Sequence, residues 1–199
     1  LEDQRSDFQR LKDALNIQNL VADLGVIQRL PQILRGNDFK VTAVLKGEEL
    51  IAVEEGDTSS ENYGLAFDIG TTTVVGTLMN IASGNQVGVS SGLNRQADFG
   101  ADVISRINFT KEEPSGLRRL KEKIIEVINE IIDDLLEESK VKRENIYELV
   151  VVGNTCMQHL FLEIDPINLA LMPYVSVIKE PITLKANELG ISINKGGDV

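Results

Sequence analysis

Tryptophan is absent, and the 199 residues include one cysteine, Cys156, and one histidine, His159. A single thiol excludes an intramolecular disulfide. One thiol and one imidazole cannot complete a structural zinc site or hold an iron–sulfur cluster unaided. Positive charge is also scarce: 20 Lys and Arg stand against 31 Asp and Glu, a formal charge of −11. With a sequence pI near 4.6, the chain lacks the cationic surface that displaces counterions from nucleic acid or holds an anionic membrane. No apolar run approaches the ~20 residues of a membrane span. The opening LEDQRSDFQR has neither the basic nor the apolar stretch of a secretory signal. These absences predict an acidic, soluble, cytoplasmic protein that takes neither nucleic acid nor a membrane as partner. At 42% hydrophobic and 26% charged residues the profile is globular. The length suits one ordinary domain, or a small domain with part of another. Residue 1 is Leu and the sequence runs out at NKGGDV with no recognisable closing element, so we read it as a piece of a longer polypeptide.

Two segments follow from the patterning. In the first, residues 7–15 place Phe8, Leu11 and Leu15 at helical spacing behind a Ser6 cap. Residues 20–35 look like a second, broken helix that Pro31 should end or kink. VTAVL (41–45) and LIAV (50–53) read as a β-hairpin around Lys46-Gly47. The acidic, small-residue stretch 54–62 reads as a linker and domain boundary. The second segment is more regular. Residues 64–69, 73–81 and 86–91 are three strands joined by short turns, and 92–115 is a long polar stretch. The clearest helix follows, with Leu117, Leu120, Ile124, Val127, Ile131 and Leu135 three or four apart. ELVVVG (148–153) is then a strand apolar enough to be buried on both faces. The order β-β-β-α-β predicts an α/β fold in which the last strand lies parallel to the first after a right-handed crossover. That is the opening of a ribonuclease-H-like lobe rather than a Rossmann fold. The tail 166–199 shows weak strands at 175–178 and 181–184 and a short NELG turn, and has no assigned place.

Three stretches carry polar residues suited to chemistry. In Phe67-Asp68-Ile69-Gly70-Thr71-Thr72-Thr73 a carboxylate ends a buried strand, Gly70 allows close backbone approach, and three threonines offer amides and hydroxyls. Such a turn can cradle the outer phosphates of a nucleotide while Asp68 holds Mg²⁺ directly or through water. A plain β-turn is the competing reading. In Gly153-Asn154-Thr155-Cys156-Met157 a second strand ends in a turn. With parallel strands both ends would face one cleft, so Asn154 and Thr155 either approach the same phosphates, or cap a helix over 157–162, or do both. The third stretch, Asn94–Ile107, is too polar for a core and too varied for a linker. It either lines the cleft or meets a partner, or it is a surface loop entering a short helix with Asp102 and Arg106 paired at i,i+4. His159, beside Leu160, Phe161 and Leu162, reads as a packed helix residue rather than a catalytic base. Cys156 has no basic neighbour in sequence to activate it.

GLAFDIGTTTVV resembles the first phosphate motif of the acetate and sugar kinase, heat-shock chaperone and actin superfamily. Taken with LP-x-x-LR, VTAV, NRQADFGADVISRI and VVVGNTCMQHL, roughly residues 1–180 resemble the ATP-dependent reductive activators of corrinoid proteins. The resemblance implies a small middle domain at 1–60 and the first part of an actin-like ATP-binding domain at 63–199. It implies ATP and Mg²⁺ as cofactors, with Asp68 organising the metal, Gly70, Thr71, Thr72 and Thr73 holding phosphates, and Gly153, Asn154 and Thr155 bordering the same cleft. The family's plant-type [2Fe–2S] domain, second phosphate motif and adenosine motif are not in these residues. The chain alone is therefore expected to bind nucleotide weakly or not at all and to transfer no electrons. The family's members form homodimers, dock onto a corrinoid protein, and return its Co(II) to Co(I). The rival readings are a small-molecule kinase on the same lobe, with Asp98 or Asp102 as general base, and a non-catalytic interaction module.

Overall fold

The computed structural model describes residues 4–199 and divides into two compact units, one ending at Glu61 and one spanning Asn62–Val199. In the first, α1 (Asp7–Leu15) starts where the Ser6 hydroxyl accepts from the Gln9 N–H at 3.2 Å. The stretch from residue 20 differs from expectation. Val21–Ala22 is a short strand, β1, and Asp23 caps a separate helix, α2 (Leu24–Gly36), that runs through Pro31. Proline removes the hydrogen bond to the Ile27 carbonyl. Val26, Leu30 and Leu34 are nevertheless buried on both sides of it, so packing carries the helix past the break. The hairpin forms as expected, β2 (Val41–Lys46) antiparallel to β3 (Glu49–Glu55), with Gly47 at φ 60° in the turn. β1 adds to the other side of β3 in parallel. The start of the expected linker is structured: Glu54 and Glu55 belong to β3, the Thr58 hydroxyl donates to Glu54, and the Thr58 N–H donates to the Thr42 hydroxyl at 2.9 Å. Leu11, Leu20, Val26, Leu30, Leu34, Leu50 and Val53 form this unit's core.

The second unit is a four-stranded sheet in the order β6-β5-β4-β7. β4 (Tyr63–Ile69), β5 (Thr73–Asn80) and β6 (Asn85–Leu93) form the expected antiparallel meander. Two helices follow rather than one. The polar stretch contains a 3-10 turn (Arg95–Asp98) and α3 (Val103–Glu112) ahead of the long helix α4 (Gly116–Ser139). β7 (Ile146–Gly153) then pairs in parallel with β4. α4 turns Leu120, Ile124, Val127, Ile128, Ile131, Ile132 and Leu135 onto Leu65, Phe67, Ile69, Val74, Leu78 and Leu149 of the sheet. Each such side chain contributes about 1.5–3 kcal/mol when fully buried, so this one interface dominates the unit. α5 (Thr155–Phe161) and α6 (Ala186–Leu189) complete it.

Two expectations fail here. β7 is buried on one face: Val150 and Val152 are 51% and 52% exposed. An all-apolar strand shows that water is disfavoured on both sides, and α4 covers only one. The weak strands at 175–178 and 181–184 do not form. The Val177 N–H donates instead to His159 Nε2 at 3.1 Å, and strand-like pairing in the tail is confined to isolated bridges of Asp198 with Glu148 and Lys185. No described helix is long and apolar enough to cross a membrane.

Gly76 lies opposite Phe67 in the β4–β5 ladder. A β-carbon there would sit 2.6 Å from Ile131 Cγ2 and 2.8 Å from Phe67 Cε1. Neither neighbour is the free end of a flexible chain. Gly76→Ala is therefore expected to lower unfolding stability by about 1–3 kcal/mol, read as a reduced urea midpoint at unchanged slope.

Candidate functional site

The parallel register sets Ile69 beside Gly153, so the turns leaving β4 and β7 are neighbours. A β-carbon on Gly153 would lie 2.9 Å from the Ile69 carbonyl oxygen, and one on Gly70 would lie 2.6 Å from the Thr73 carbonyl oxygen. Close backbone approach thus requires both glycines. The Gly70 N–H donates to the Thr73 carbonyl at 3.0 Å and closes the turn. Asp68 points out of the open face of the sheet, between its register partners Val75 and Val152, and is exposed. Thr72 and Thr73 are exposed and Thr71 is half-buried. Asn154 caps α5, its Oδ1 accepting from the Met157 N–H at 3.0 Å, and Thr155 opens that helix. The helix-cap reading of Asn154 is therefore correct, and its side-chain oxygen is already engaged.

The third polar stretch, Asn94–Ile107, holds residues whose burial the sequence did not indicate. Asn94, Gln96 and Arg106 are buried and form the rear of the turn. Asn94 Nδ2 donates to the Gly70 carbonyl at 2.8 Å, the Asn94 N–H to the Thr72 carbonyl at 2.8 Å, and Arg106 Nη2 to the Thr71 carbonyl at 2.6 Å. Gln96 Nε2 anchors the group to α4 through the Leu120 carbonyl at 2.9 Å. The expected Asp102–Arg106 pair does not form. Asp102 caps α3 in a capping box with Ser105, while Arg106 turns inward. The Ser105 N–H and hydroxyl hold the Asp102 carboxyl below the usual carboxylate range, which makes it a poor general base. Asp98 lines a separate groove of about 530 Å³ with Leu93, Arg95, Glu130 and Asp134, which shares Thr72 with the turn. Gly100 makes room for the buried Arg106. A β-carbon on Gly100 would meet the Arg106 N at 2.7 Å and Cγ at 2.9 Å.

His159 is fully buried. Its Nδ1 lies 2.7 Å from the Thr155 carbonyl and its Nε2 accepts from Val177, so the tautomer is Nδ1–H and the ring ties α5 to the tail. Among the described residues no three His, Cys, Asp or Glu side chains gather into a metal cage. The single carboxylate of Asp68 beside threonine hydroxyls suits Mg²⁺ arriving with a nucleotide, since that ion takes one or two carboxylates plus phosphates and waters. One buried cysteine does not suit an iron–sulfur cluster.

Residues 63–199 match the family model described as the RACo middle region, and residues 1–60 match the one described as the RACo linker region. The chain belongs to the RACo family. Among relatives, the corrinoid activation enzyme RamQ of Eubacterium limosum is 35% identical over 209 residues, covering 94% of this chain and 35% of RamQ. A solved reductive activator for corrinoid, iron–sulfur protein shares 38% identity and superposes with a TM-score of 0.83, covering 100% of this chain and 33% of that one. The α/β fold is therefore that of a RACo protein, and the chain spans about a third of the length of these relatives.

Cys156 lies beside the candidate site yet is chemically quiet. Burial pushes its thiol up to about 11. At pH 8 only about a thousandth is then thiolate, the reactive form. Native protein is expected to resist thiol-reactive dyes at pH 8 and to label fully once unfolded in urea, as read by absorbance.

Proposed function

We propose that this chain supplies a small domain at 1–60, expected from the sequence as the middle domain and matching the RACo linker region, and at 63–199 the first part of the ATP-binding domain of a cytoplasmic, homodimeric reductive activator that returns the Co(II) of a corrinoid protein to Co(I). The observation that carries the reading is the meeting of two turns in a RACo chain. The Asp68–Thr73 turn and the Gly153–Thr155 turn leave adjacent parallel strands, with Gly153 packed on Ile69. Ligands of open α/β sheets bind at such strand ends. In this reading MgATP supplies the binding energy for a conformational change that an uphill electron transfer needs. Asp68 orients the metal, Gly70–Thr73 bind the outer phosphates, and Gly153–Thr155 border the cleft. A nucleotide drives such a change only through its different affinity for the two states. The electron comes from a [2Fe–2S] centre that these residues cannot form, so the chain by itself holds part of the motor and none of the wiring. The kinase reading is weaker, because Asp102 is committed to its cap.

The test uses the full-length protein, anaerobically, with a Co(II) corrinoid protein and a reductant, following the visible spectrum. Appearance of Co(I) that depends on MgATP is expected. ATP binding without any Co(I), together with a phosphorylated small molecule, would favour the kinase instead. Asp68→Ala is expected to slow ATP turnover about a hundredfold or more, the scale of removing one fixed electrostatic partner. Unaltered turnover in that variant would refute the metal role of Asp68.

A further inference from the structure

Arg106 is fully buried, and all its hydrogen-bond partners are neutral. Nε donates to the Gly100 carbonyl at 2.8 Å, Nη1 to Gln96 Oε1 at 3.2 Å and toward Met157 Sδ at 3.3 Å, and Nη2 to the Thr71 carbonyl at 2.6 Å. No carboxylate of a described residue lies within 4.0 Å of its guanidinium. Arginine keeps its charge even when buried. The cation therefore sits directly behind the Asp68–Thr73 turn without an ion-pair partner in contact, its charge offset only at longer range by Asp102 at the start of the same helix.

The direction of the turn's amides follows from where its carbonyls go. The carbonyls of Gly70, Thr71 and Thr72 accept from Asn94 Nδ2, Arg106 Nη2 and the Asn94 N–H. These donors form one cluster: Asn94 Nδ2 lies 3.4 Å and Arg106 Nη1 3.2 Å from the same Gln96 oxygen. The three peptides are trans, and in a trans peptide the N–H points opposite to the C=O. The amides of Thr71, Thr72 and Thr73 are thus turned away from the cluster. We infer that Arg106 and Asn94 are positioning residues, which lock three successive peptides so that these amides face an anionic ligand, the outer phosphates of a bound nucleotide. The inference rests on the nucleotide reading of this turn. Successive amides of this kind form an anion-binding concavity, and donors fixed before the ligand arrives need no reorganisation. Flipping any one peptide would aim a carbonyl at the phosphate, and the Asn94 and Arg106 bonds oppose that flip. The buried guanidinium adds attraction through a medium of low dielectric.

The test measures dissociation constants of MgATP and of AMP, which lacks the outer phosphates, for the full-length protein and its Arg106→Lys and Asn94→Ala variants. Melting curves without nucleotide accompany them. Lysine keeps the charge but cannot reach several acceptors, and Asn94→Ala removes only the tie to Gly70 and the side-chain contacts. Each variant is expected to bind MgATP about tenfold or more weakly, the scale of a lost charge-assisted hydrogen bond, with AMP affinity unchanged. Equal losses for AMP and MgATP would reduce both residues to a general structural role and overturn the inference. So would a folded variant that binds MgATP like the unsubstituted protein. If Arg106→Lys fails to fold, Asn94→Ala decides by the same two readings. Absence of saturable MgATP binding in the unsubstituted protein would overturn the nucleotide reading, and this inference with it.

Discussion

Burial of one stripe of α4 against the sheet is the constraint on which the second unit depends. Ile124, Ile128 and Ile132 are wholly buried. The helix occupies the covered face of β4, β5 and β6, and the chain that leaves it returns alongside β4. A parallel strand needs a long crossover, and the 24 residues of α4 supply one. β7 runs parallel to β4, and both strands end at the same edge. The two polar turns are neighbours for a reason that lies in neither of them: an apolar interface on the far side of the sheet brings Gly153 onto Ile69.

Arg106 is the electrostatic counterpart of that interface. Removing a guanidinium from water without a carboxylate partner is costly, several kcal/mol per ion even after relaxation. Carbonyl oxygens and one amide oxygen satisfy its hydrogen bonds, while Asp102 offsets its charge only from beyond ion-pair distance. A merely structural tie at Thr71 could be made by a neutral donor, as Asn94 makes it at Gly70 and Thr72. In the proposed reading, that charge also serves an anion on the other side of the turn. Gly100 belongs to the same device, because its missing side chain leaves room for the Arg106 stem.

The legible parts of the chain are those where one periodicity acts alone. The α4 stripe, the meander and the parallel return of β7 could be read from apolar spacing, as could Ser6 and Asn154 as caps. Pro31 misled because local backbone chemistry was weighed without the packing of Val26, Leu30 and Leu34. Val150 and Val152 misled because hydrophobicity records a preference for burial and not which neighbour provides it. The sequence marks the Asn94–Arg106 stretch as a candidate cleft lining but does not foretell its burial. Polar residues read as surface until a fold gives them buried partners, and those partners are backbone carbonyls of a turn more than twenty positions earlier in sequence, which no side-chain pattern reveals. Asp102 and Arg106 stood at pairing distance on a helix, yet the acid went to the helix terminus and the base to the interior.

Under the proposed nucleotide reading, an acidic chain that receives a polyanion has an apparent electrostatic handicap, since its net charge is −11. The handicap is small at the turn itself. Exposed charges beyond about 8–10 Å are largely screened at physiological salt, and many acids here lie in ion pairs or on the solvated side of α4, as with Glu126 and Glu130 beside Lys123 and Arg95. In that reading, what a phosphate would meet at contact distance is set by amides, hydroxyls and one buried guanidinium. A site built this way owes its preference to peptide orientation rather than to surface lysines. Its affinity should therefore be sensitive to substitutions behind the turn and much less so to changes in overall charge. That ordering distinguishes a pre-oriented phosphate turn from a merely cationic patch.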